Sequence, residues 1–205
     1  MDQGTDAWFA VRLAKVTASR VADVVAKTKS GYSASRANYM AQLIAERLTG
    51  NVAESFSNAA MAWGTETEPL ARAAYEAHTE AVVVEVGFVD HPSIKMTGAS
   101  PDGLIGLDGM LEIKCPQTAT HLTTLLSENL PRKYITQMQW QMACAGRSWC
   151  DFASFDPRLP ANLSLWIKRI ERDDKLISEL ETQVADFLSE LDEKVTALID
   201  KFGRT

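Results

Sequence analysis

Residues 100–116 hold the stretch that decides the fold: Ser100-Pro101-Asp102-Gly103-Leu104, followed six residues later by Leu111-Glu112-Ile113-Lys114-Cys115-Pro116. Two short apolar runs flank Asp108-Gly109, a dipeptide that strongly favours a β-hairpin. Successive side chains of a strand point to opposite faces, so Glu112 and Lys114 share one face while Ile113 points into the core. The segment therefore predicts two neighbouring strands with charged side chains collected on one face.

The length of the turn decides where Asp102 points. A two-residue turn would pair Asp102 with Cys115 and direct it away from Glu112. A three-residue turn, Leu107-Asp108-Gly109, with the glycine in the left-handed conformation of a bulge, pairs Asp102 with Lys114 instead. We predict the longer turn, or an equivalent kink near the proline before Asp102. Either arrangement brings the two carboxylates and the lysine to one point.

These three residues are suited to metal-assisted hydrolysis of a phosphodiester. Two hard carboxylates, Asp102 and Glu112, favour Mg²⁺ or Mn²⁺, which polarises a phosphoryl oxygen and lowers the pKa of a bound water. A second metal ion could stabilise the leaving 3′-oxygen. Lys114 can orient the water or offset charge on the phosphate. Taken alone, the same three residues fit a hairpin with surface charges equally well, because short motifs produce many false matches.

The remaining periodicity predicts an α/β (α+β) protein with helices packed on a mixed sheet. We expect one domain over residues 1–205, since 205 residues with 46% apolar content can bury a substantial core. Helices are expected at residues 6–14, 118–128, 132–145 and 173–201, and the last of these is long and amphipathic. A further helix starts at Thr17, and another runs from a Ser35 cap to Leu48. The helix expected over 59–80 is interrupted near Gly64. Strands are expected at 82–89, 95–99, 150–155 and 163–170, and a flexible basic loop at 27–31.

Composition narrows the class of protein further. No run of 18 apolar residues occurs, and the N-terminus lacks a secretory pattern, so we expect a cytoplasmic protein that does not enter a membrane. The three cysteines do not have the spacing of zinc ligands, and we expect them to be reduced thiols: Cys115, Cys144 and Cys150. The three histidines are scattered, which disfavours a histidine-based metal site.

The net charge of −6 disfavours a simple basic DNA-binding module, but the charge is unevenly distributed. Residues 1–50 carry seven Lys/Arg against four Asp/Glu (+3), and residues 101–170 carry seven against six (+1). Residues 51–100 carry two against seven (−5), and residues 171–205 carry five against ten (−5). An acidic protein can still hold DNA if its positive charge lines one face.

With these motifs in place, the chain resembles the PD-(D/E)XK nuclease superfamily, and within it the phage lambda exonuclease (YqaJ-like) branch. The likeness covers roughly residues 6–175. Several spaced motifs carry it, in the family's order: Asp6-Ala7-Trp8, Arg12-Leu13, Val16-Thr17-Ala18-Ser19, Ala62-Trp63-Gly64 with Glu68 and Ala71-Arg72, Thr136-Gln137-Met138-Gln139, Phe155-Asp156-Pro157-Arg158 and Ile170-Glu171-Arg172-Asp173. Phe9 stands where the family has a histidine, and Ala14 where it has glycine.

The resemblance implies a role for each matching residue. Asp102, Glu112 and the Ile113 carbonyl would bind the metal, with Lys114 as the catalytic lysine. Glu68 would act near a second metal and Gln137 would help to place the substrate or the attacking water. Arg12, Ser19 and Ser100 would form a pocket for the 5′-phosphate of the cleaved strand. Met61 would be an apolar wedge at the strand junction. Independently of the resemblance, Lys29 in the basic loop is a candidate DNA contact, although such loops are more often simply solvated.

The resemblance also implies an activity and partners. It predicts a restriction-endonuclease-like core and a Mg²⁺-dependent 5′-to-3′ exonuclease that leaves a 3′ single-stranded tail on linear duplex DNA. It further predicts a homotrimeric ring around DNA and a single-strand annealing protein as partner in phage-type recombination. Two alternatives stay open: an endonuclease or repair nuclease of the same superfamily, and a catalytically inactive DNA-binding scaffold. Arg12, Ser19 and Ser100 disfavour the first, and the intact Asp102, Glu112 and Lys114 disfavour the second.

Overall fold

The computed structural model describes residues 3–29, 31–52 and 59–203. Within these ranges the helices are α1 (Asp6–Arg12), α2 (Ala18–Val24), α3 (Ala34–Thr49), α4 (Ala59–Thr79), α5 (Thr118–Ser127), α6 (Arg132–Ala145), α7 (Ala161–Ser164) and α8 (Asp174–Phe202). The strands are β1 (Val16–Thr17), β2 (Lys27–Thr28), β3 (Gly31–Tyr32), β4 (Val83–Val84), β5 (Val89–Asp90), β6 (Thr97–Ala99), β7 (Gly103–Ile105), β8 (Gly109–Lys114), β9 (Trp149–Phe155) and β10 (Leu165–Glu171).

A five-stranded mixed sheet in the order β10-β9-β8-β7-β4 forms the centre. β8 and β9 run parallel, with Glu112 opposite Phe152, and the other neighbours run antiparallel. A separate three-stranded sheet has the order β1-β6-β5, and β2 pairs with β3. The predicted α/β class with a mixed sheet is confirmed, but the strands divide among three sheets.

The central sheet is covered by a helix on each face, as the alternation along β8 requires. Leu111 and Ile113 pack in one apolar cluster with Ala71 and Tyr75 of α4. On the opposite face, Met110 and Phe152 pack with Met138 and Met142 of α6. Glu112 is two residues from Met110 along β8, so its side chain lies on the same face and points towards α6.

A layer of helices covers the outer side of α6. α8 places its apolar stripe against α2 and α3, so that Leu180, Val184 and Phe187 are buried in the largest cluster with Tyr39 and Trp140. The predicted long amphipathic helix is thus confirmed, and it begins where the Asp173 carboxylate accepts the Leu176 N–H at 3.0 Å. None of the helices in the described ranges is long and apolar enough to cross a membrane.

The register of the central hairpin differs from the prediction. Leu104 pairs with Met110, and the three-residue loop is Gly106-Leu107-Asp108. The left-handed glycine is Gly106, at φ 52°, whereas Gly109 already belongs to β8. A Cβ on Gly109 would lie 2.1 Å from the Trp149 ring, so this glycine is required for close packing rather than for the turn. The register differs from the predicted one by two positions. Because two is an even number, each side chain of the hairpin stays on the face of the sheet that was predicted for it.

Several local predictions are also wrong. The segment 82–89 is not one strand but parts of β4 and β5, which lie in different sheets. α4 runs through Gly64 without interruption, with Pro69 inside the helix. α3 is capped at Ser33 rather than Ser35.

Two further features concern the N-terminal region. The predicted flexible loop 27–31 contains the short hairpin of β2 and β3, with Ser30 outside the described residues. Ala14 has φ 58°, a left-handed conformation that glycine, the residue expected here from the resemblance, adopts with less strain.

Candidate active site

The Glu112 carboxylate lies at the centre of the site and is fully buried. Its Oε1 accepts hydrogen bonds from the Lys114 ammonium group and from Gln137 Nε2, the latter at 2.6 Å. Its Oε2 accepts a hydrogen bond from Gln141 Nε2 at 2.7 Å. A buried carboxylate needs hydrogen-bond donors to offset the loss of water, and the donors from β8 and α6 together hold Glu112 in a fixed orientation.

Asp102 meets Glu112 at the point where β7 no longer pairs with β8. Pairing ends with Gly103 opposite Leu111, and the Asp102 Oδ2 accepts the Ile113 N–H at 2.6 Å. Burial and the neighbouring Glu112 charge raise the pKa of Asp102 well above its usual range, although Lys114 opposes this. The sequence prediction that Asp102, Glu112 and Lys114 meet at one point is borne out by this geometry, although the register that produces it differs.

The Lys114 ammonium group is the positive charge of the site. Burial lowers the pKa of Lys114, but the charges of Glu112 and Asp102 more than compensate and raise it overall. Lys114 Nζ also lies 5.7 Å from the centroid of the Tyr134 ring. Lys114 is therefore protonated at neutral pH and can act as an electrostatic group rather than as a base.

Glu68 approaches the same site from the opposite side of the sheet, on α4. Its Oε1 accepts a hydrogen bond from Arg72 Nη2 at 2.9 Å. The pKa of Glu68 is raised overall: burial and the charge of Glu112 raise it by more than the positive charges of Arg72 and Lys114 lower it. Glu68 is therefore close enough to Glu112 and Lys114 to interact with their charges.

The α6 helix presents two glutamines to Glu112, and the sequence analysis identified only one. Gln137 and Gln141 are four residues apart and therefore share a face of the helix. Gln139 points the other way, where it donates to the Glu171 carbonyl and accepts the Asp173 N–H, each at 2.8 Å. The spacing of four from Gln137 was the signal that could have revealed Gln141.

The donor set fits a hard divalent cation. Within residues 3–29, 31–52 and 59–203, no three His, Cys, Asp or Glu side chains are grouped so that they could hold a metal ion. Asp102 and Glu112 would therefore supply two carboxylates, and the rest of a coordination shell would come from a main-chain carbonyl such as that of Ile113, from water and from substrate. Mg²⁺ is commonly held in this way, with one or two carboxylates, several waters and substrate phosphate oxygens.

A second group of polar residues surrounds Arg12. The Arg12 guanidinium lies 3.6 Å from the centroid of the Trp8 ring, and Trp8 Nε1 donates to Ser100 Oγ at 2.9 Å. Burial lowers the pKa of Arg12 to about 10, which leaves it charged at neutral pH. Among the described residues, no carboxylate lies within ion-pair distance of Arg12. A half-buried guanidinium of this kind is suited to bind an external anion.

Parallel pairing explains why Ser19 and Ser100 lie at the same edge. β1 pairs parallel with β6, with Thr17 opposite Gly98, so the carboxyl ends of both strands meet. Ser19 follows β1 by two residues and its Oγ lies 3.4 Å from Thr17 Oγ1, while Ser100 directly follows β6. Because Asp102 is two residues beyond Ser100, the Arg12 group adjoins the carboxylate site.

The remaining predicted residues lie outside these two groups. Met61 is 54% exposed in the first turn of α4. Lys29 is exposed at the tip of the β2–β3 hairpin. Neither contacts Glu112 or Arg12 in the hydrogen bonds, ion pairs and ring contacts of the described residues. Their predicted roles would therefore come from direct contact with DNA and not from contact with the other site residues.

The Phe155-Asp156-Pro157-Arg158 motif joins α4 to the end of β8. The buried Asp156 carboxylate accepts from Thr118 Oγ1 at 2.6 Å and from Arg158 Nε at 2.7 Å. The Arg158 guanidinium lies 4.3 Å from the centroid of the Trp63 ring and its Nη2 donates to the Pro116 carbonyl at 3.4 Å. Arg158 lowers the pKa of Asp156 to about 2.

A mixed sheet that carries an aspartate beside a Glu-x-Lys strand defines the PD-(D/E)XK class of nucleases. Residues 7–148 match the family model described as the YqaJ-like viral recombinase domain, and the chain belongs to that family. No curated protein sequence matches the chain significantly.

Solved structures agree with this assignment. Two crystal structures of LHK-Exo, an alkaline exonuclease from Laribacter hongkongensis, are 56% and 55% identical to the chain, each with a TM-score of 0.90. In both cases the match covers 96% of this chain and 97% of the other, and one of the two is a complex with dAMP. A phage-related exonuclease from Haemophilus somnus 129PT, 16% identical, covering 90% of this chain and 96% of its own, with a TM-score of 0.75, shows the same fold. The chain is thus an enzyme of the exonuclease class.

Proposed function

We propose that the chain is a Mg²⁺-dependent exonuclease that degrades one strand of linear duplex DNA from its 5′ end and leaves a 3′ single-stranded tail. The observation that carries the proposal is the convergence of Asp102, Glu112 and Lys114 on one point, with both oxygens of Glu112 held by donors. Mn²⁺ would be an alternative cofactor, since it accepts the same oxygen ligands.

The carboxylates would bind the metal and Lys114 would stabilise charge on the scissile phosphate. Asp102, Glu112 and the Ile113 carbonyl offer oxygen ligands, with Glu68 close enough to act on a second ion or its waters. When bound, Mg²⁺ would supply Lewis acidity and lower the pKa of its bound water. Lys114, whose pKa is raised, keeps its positive charge beside the phosphate as negative charge develops there. Gln137 donates to Glu112 and would also orient the attacking water.

The preference for a 5′ end would come from Arg12, Ser19 and Ser100. Arg12 has no carboxylate partner among the described residues and lies over the Trp8 ring, so its guanidinium is available to a phosphate. The two serines meet at the same strand edge and can donate to the remaining phosphate oxygens. A terminal phosphate carries more negative charge than an internal one, so this pocket favours ends. The complex of the 56% identical LHK-Exo with dAMP supports a mononucleotide product.

The assembly and partners follow from the same family. We propose a homotrimeric ring with duplex DNA in its channel, with the positive charge of residues 1–50 facing inward and the acidic segments facing outward. In that arrangement Lys29 would contact the DNA backbone, and Met61 would separate the strands. A single-strand annealing protein would receive the 3′ tail during phage-type recombination. The DNA-binding roles of Lys29 and Met61 depend on the assembled ring.

Strand polarity provides the test of this proposal. A linear duplex would be labelled either on its 5′-terminal or on its 3′-terminal nucleotide and incubated with the protein and Mg²⁺, beside a covalently closed circle. Early release of the 5′ label as a mononucleotide, with the circle intact, is the expected result. Early release of the 3′ label would contradict the polarity, and cutting of the circle would indicate an endonuclease.

A further inference from the structure

The hydrogen bonds to Glu112 leave one acceptor position on its carboxylate. A carboxylate has about four lone-pair positions, two on each oxygen. Oε1 uses both, for Lys114 and Gln137, whereas Oε2 accepts only from Gln141 among the described residues. The oxygen that can bind a cation without losing a donor is therefore the one that Gln141 holds.

The Gln141 side chain is itself incompletely satisfied. Gln141 is fully buried, and its Nε2 donates to Glu112 while its Oε1 has no hydrogen-bond partner within the described part of the chain. The opposite orientation of the amide would bring its oxygen against a carboxylate that can only accept, so the amide nitrogen must face Glu112. A buried acceptor without a partner costs stability, and groups of this kind call for a functional explanation.

Given the proposed metal-dependent nuclease, we infer that Gln141 is a positioning residue that orients Glu112 Oε2 towards the divalent cation. Gln141 holds Oε2 from α6 while Lys114 and Gln137 hold Oε1, so the carboxylate cannot rotate when the cation binds. Gln141 Oε1, which has no partner within the described ranges, lies in the same buried region and is available as an acceptor for a water of the cation. Residues that hold a metal ligand in this way commonly contribute 10- to 100-fold to metal affinity or activity.

Gln139 gives an internal contrast on the same helix. It is also buried, but both ends of its amide bind backbone groups, the Glu171 carbonyl and the Asp173 N–H. Gln139 therefore holds the start of α8 and has no contact with Glu112. A substitution there tests the effect of destabilising α6 without changing the carboxylate.

The test measures Mn²⁺ binding to the full chain without DNA, by electron paramagnetic resonance, together with thermal unfolding. Gln141→Met removes the donor at similar volume, and Gln141→Asn keeps an amide that is too short to reach Glu112. Both variants should bind Mn²⁺ about 10- to 100-fold more weakly than wild type. Nuclease assays should show a matching rise in the Mg²⁺ concentration for half-maximal rate, with the rate at saturating Mg²⁺ changed less. Gln139→Met should lower the unfolding midpoint and leave Mn²⁺ affinity unchanged.

The outcomes separate this inference from the proposed function. Wild-type Mn²⁺ affinity in both Gln141 variants, with Mg²⁺-dependent cleavage by wild type intact, would overturn the inference and leave the nuclease proposal standing. Loss of cooperative unfolding in both variants would also overturn it, since Gln141 would then act in folding. A wild-type protein that neither binds Mn²⁺ nor cleaves DNA would refute both.

Discussion

The Arg12 guanidinium, which has no carboxylate partner among the described residues, yields the sharpest prediction about substrate choice. Arg12→Met keeps an unbranched side chain against Trp8 but removes the charge that would bind a 5′-phosphate. A hydrogen bond to a charged group contributes about 1.5–3 kcal/mol, and 1.36 kcal/mol corresponds to a tenfold change in rate. Because Arg12 is half-buried, screening by solvent is limited, and the variant should lose about 10- to 150-fold in kcat/KM on 5′-phosphorylated duplex.

The assay compares kcat/KM on linear duplexes that carry a 5′-phosphate or a 5′-hydroxyl. Wild type should favour the phosphate, and Arg12→Met should degrade both ends at nearly the same rate. Arg20→Met is the matched control, because the Arg20 guanidinium also lies over an aromatic ring, 4.1 Å from the centroid of Tyr39, but is already paired with Asp23 at 2.6 Å. If Arg12→Met kept the wild-type preference, or if Arg20→Met lost it to the same extent, the assignment of the phosphate pocket would be wrong.

Two further predictions concern stability. Gly109→Ala should destabilise the protein by about 1–3 kcal/mol in urea unfolding, because its Cβ would meet the Trp149 ring at 2.1 Å. Gly64→Ala, at a helical position with open space around it, should instead stabilise by about 0.5–1 kcal/mol, and a similar loss at both glycines would refute the packing argument. Asp156, whose pKa is lowered to about 2, contributes stability that is fully present above its unfolded pKa of about 3.9 and is lost as pH falls towards about 2. The difference in unfolding free energy between wild type and Asp156→Asn should therefore shrink over that range, and a constant difference would contradict the ion pair with Arg158.

The alternation of side chains explains why the carboxylate site could be predicted from the sequence. Glu112 and Lys114 share a face of β8 whatever the partner strand is, and an even shift in register keeps Asp102 on that side. The exact register could not be predicted, because the ring of Trp149, a residue on another strand, fills the space beside Gly109. Tertiary packing thus moved the turn to Gly106 and left the site intact.

Two features of the site depend on long-range contacts that no local pattern in the sequence shows. β1 is only two residues long, so no periodicity could show that it pairs parallel with β6 and brings Ser19 and Ser100 to the same edge. The spacing of four between Gln137 and Gln141 places both on one face of α6, and this was the one local signal for Gln141. That this face meets Glu112 becomes visible only once β8 and α6 are known to pack together.

We propose that Lys114 and the two carboxylates form a metal-dependent catalytic centre for DNA. The most direct measurement is the single-turnover rate of nucleotide release from 5′-phosphorylated linear duplex, in Mg²⁺ and in excess chelator, for wild type, Lys114→Ala and Lys133→Ala. Lys133 is the matched control, because its Nζ lies 4.9 Å from the centroid of the same Tyr134 ring but has no contact with Glu112. We predict release by wild type and Lys133→Ala in Mg²⁺ only, and none by Lys114→Ala. Release that survives in Lys114→Ala or in chelator would contradict a catalytic centre that needs Lys114 and a metal ion.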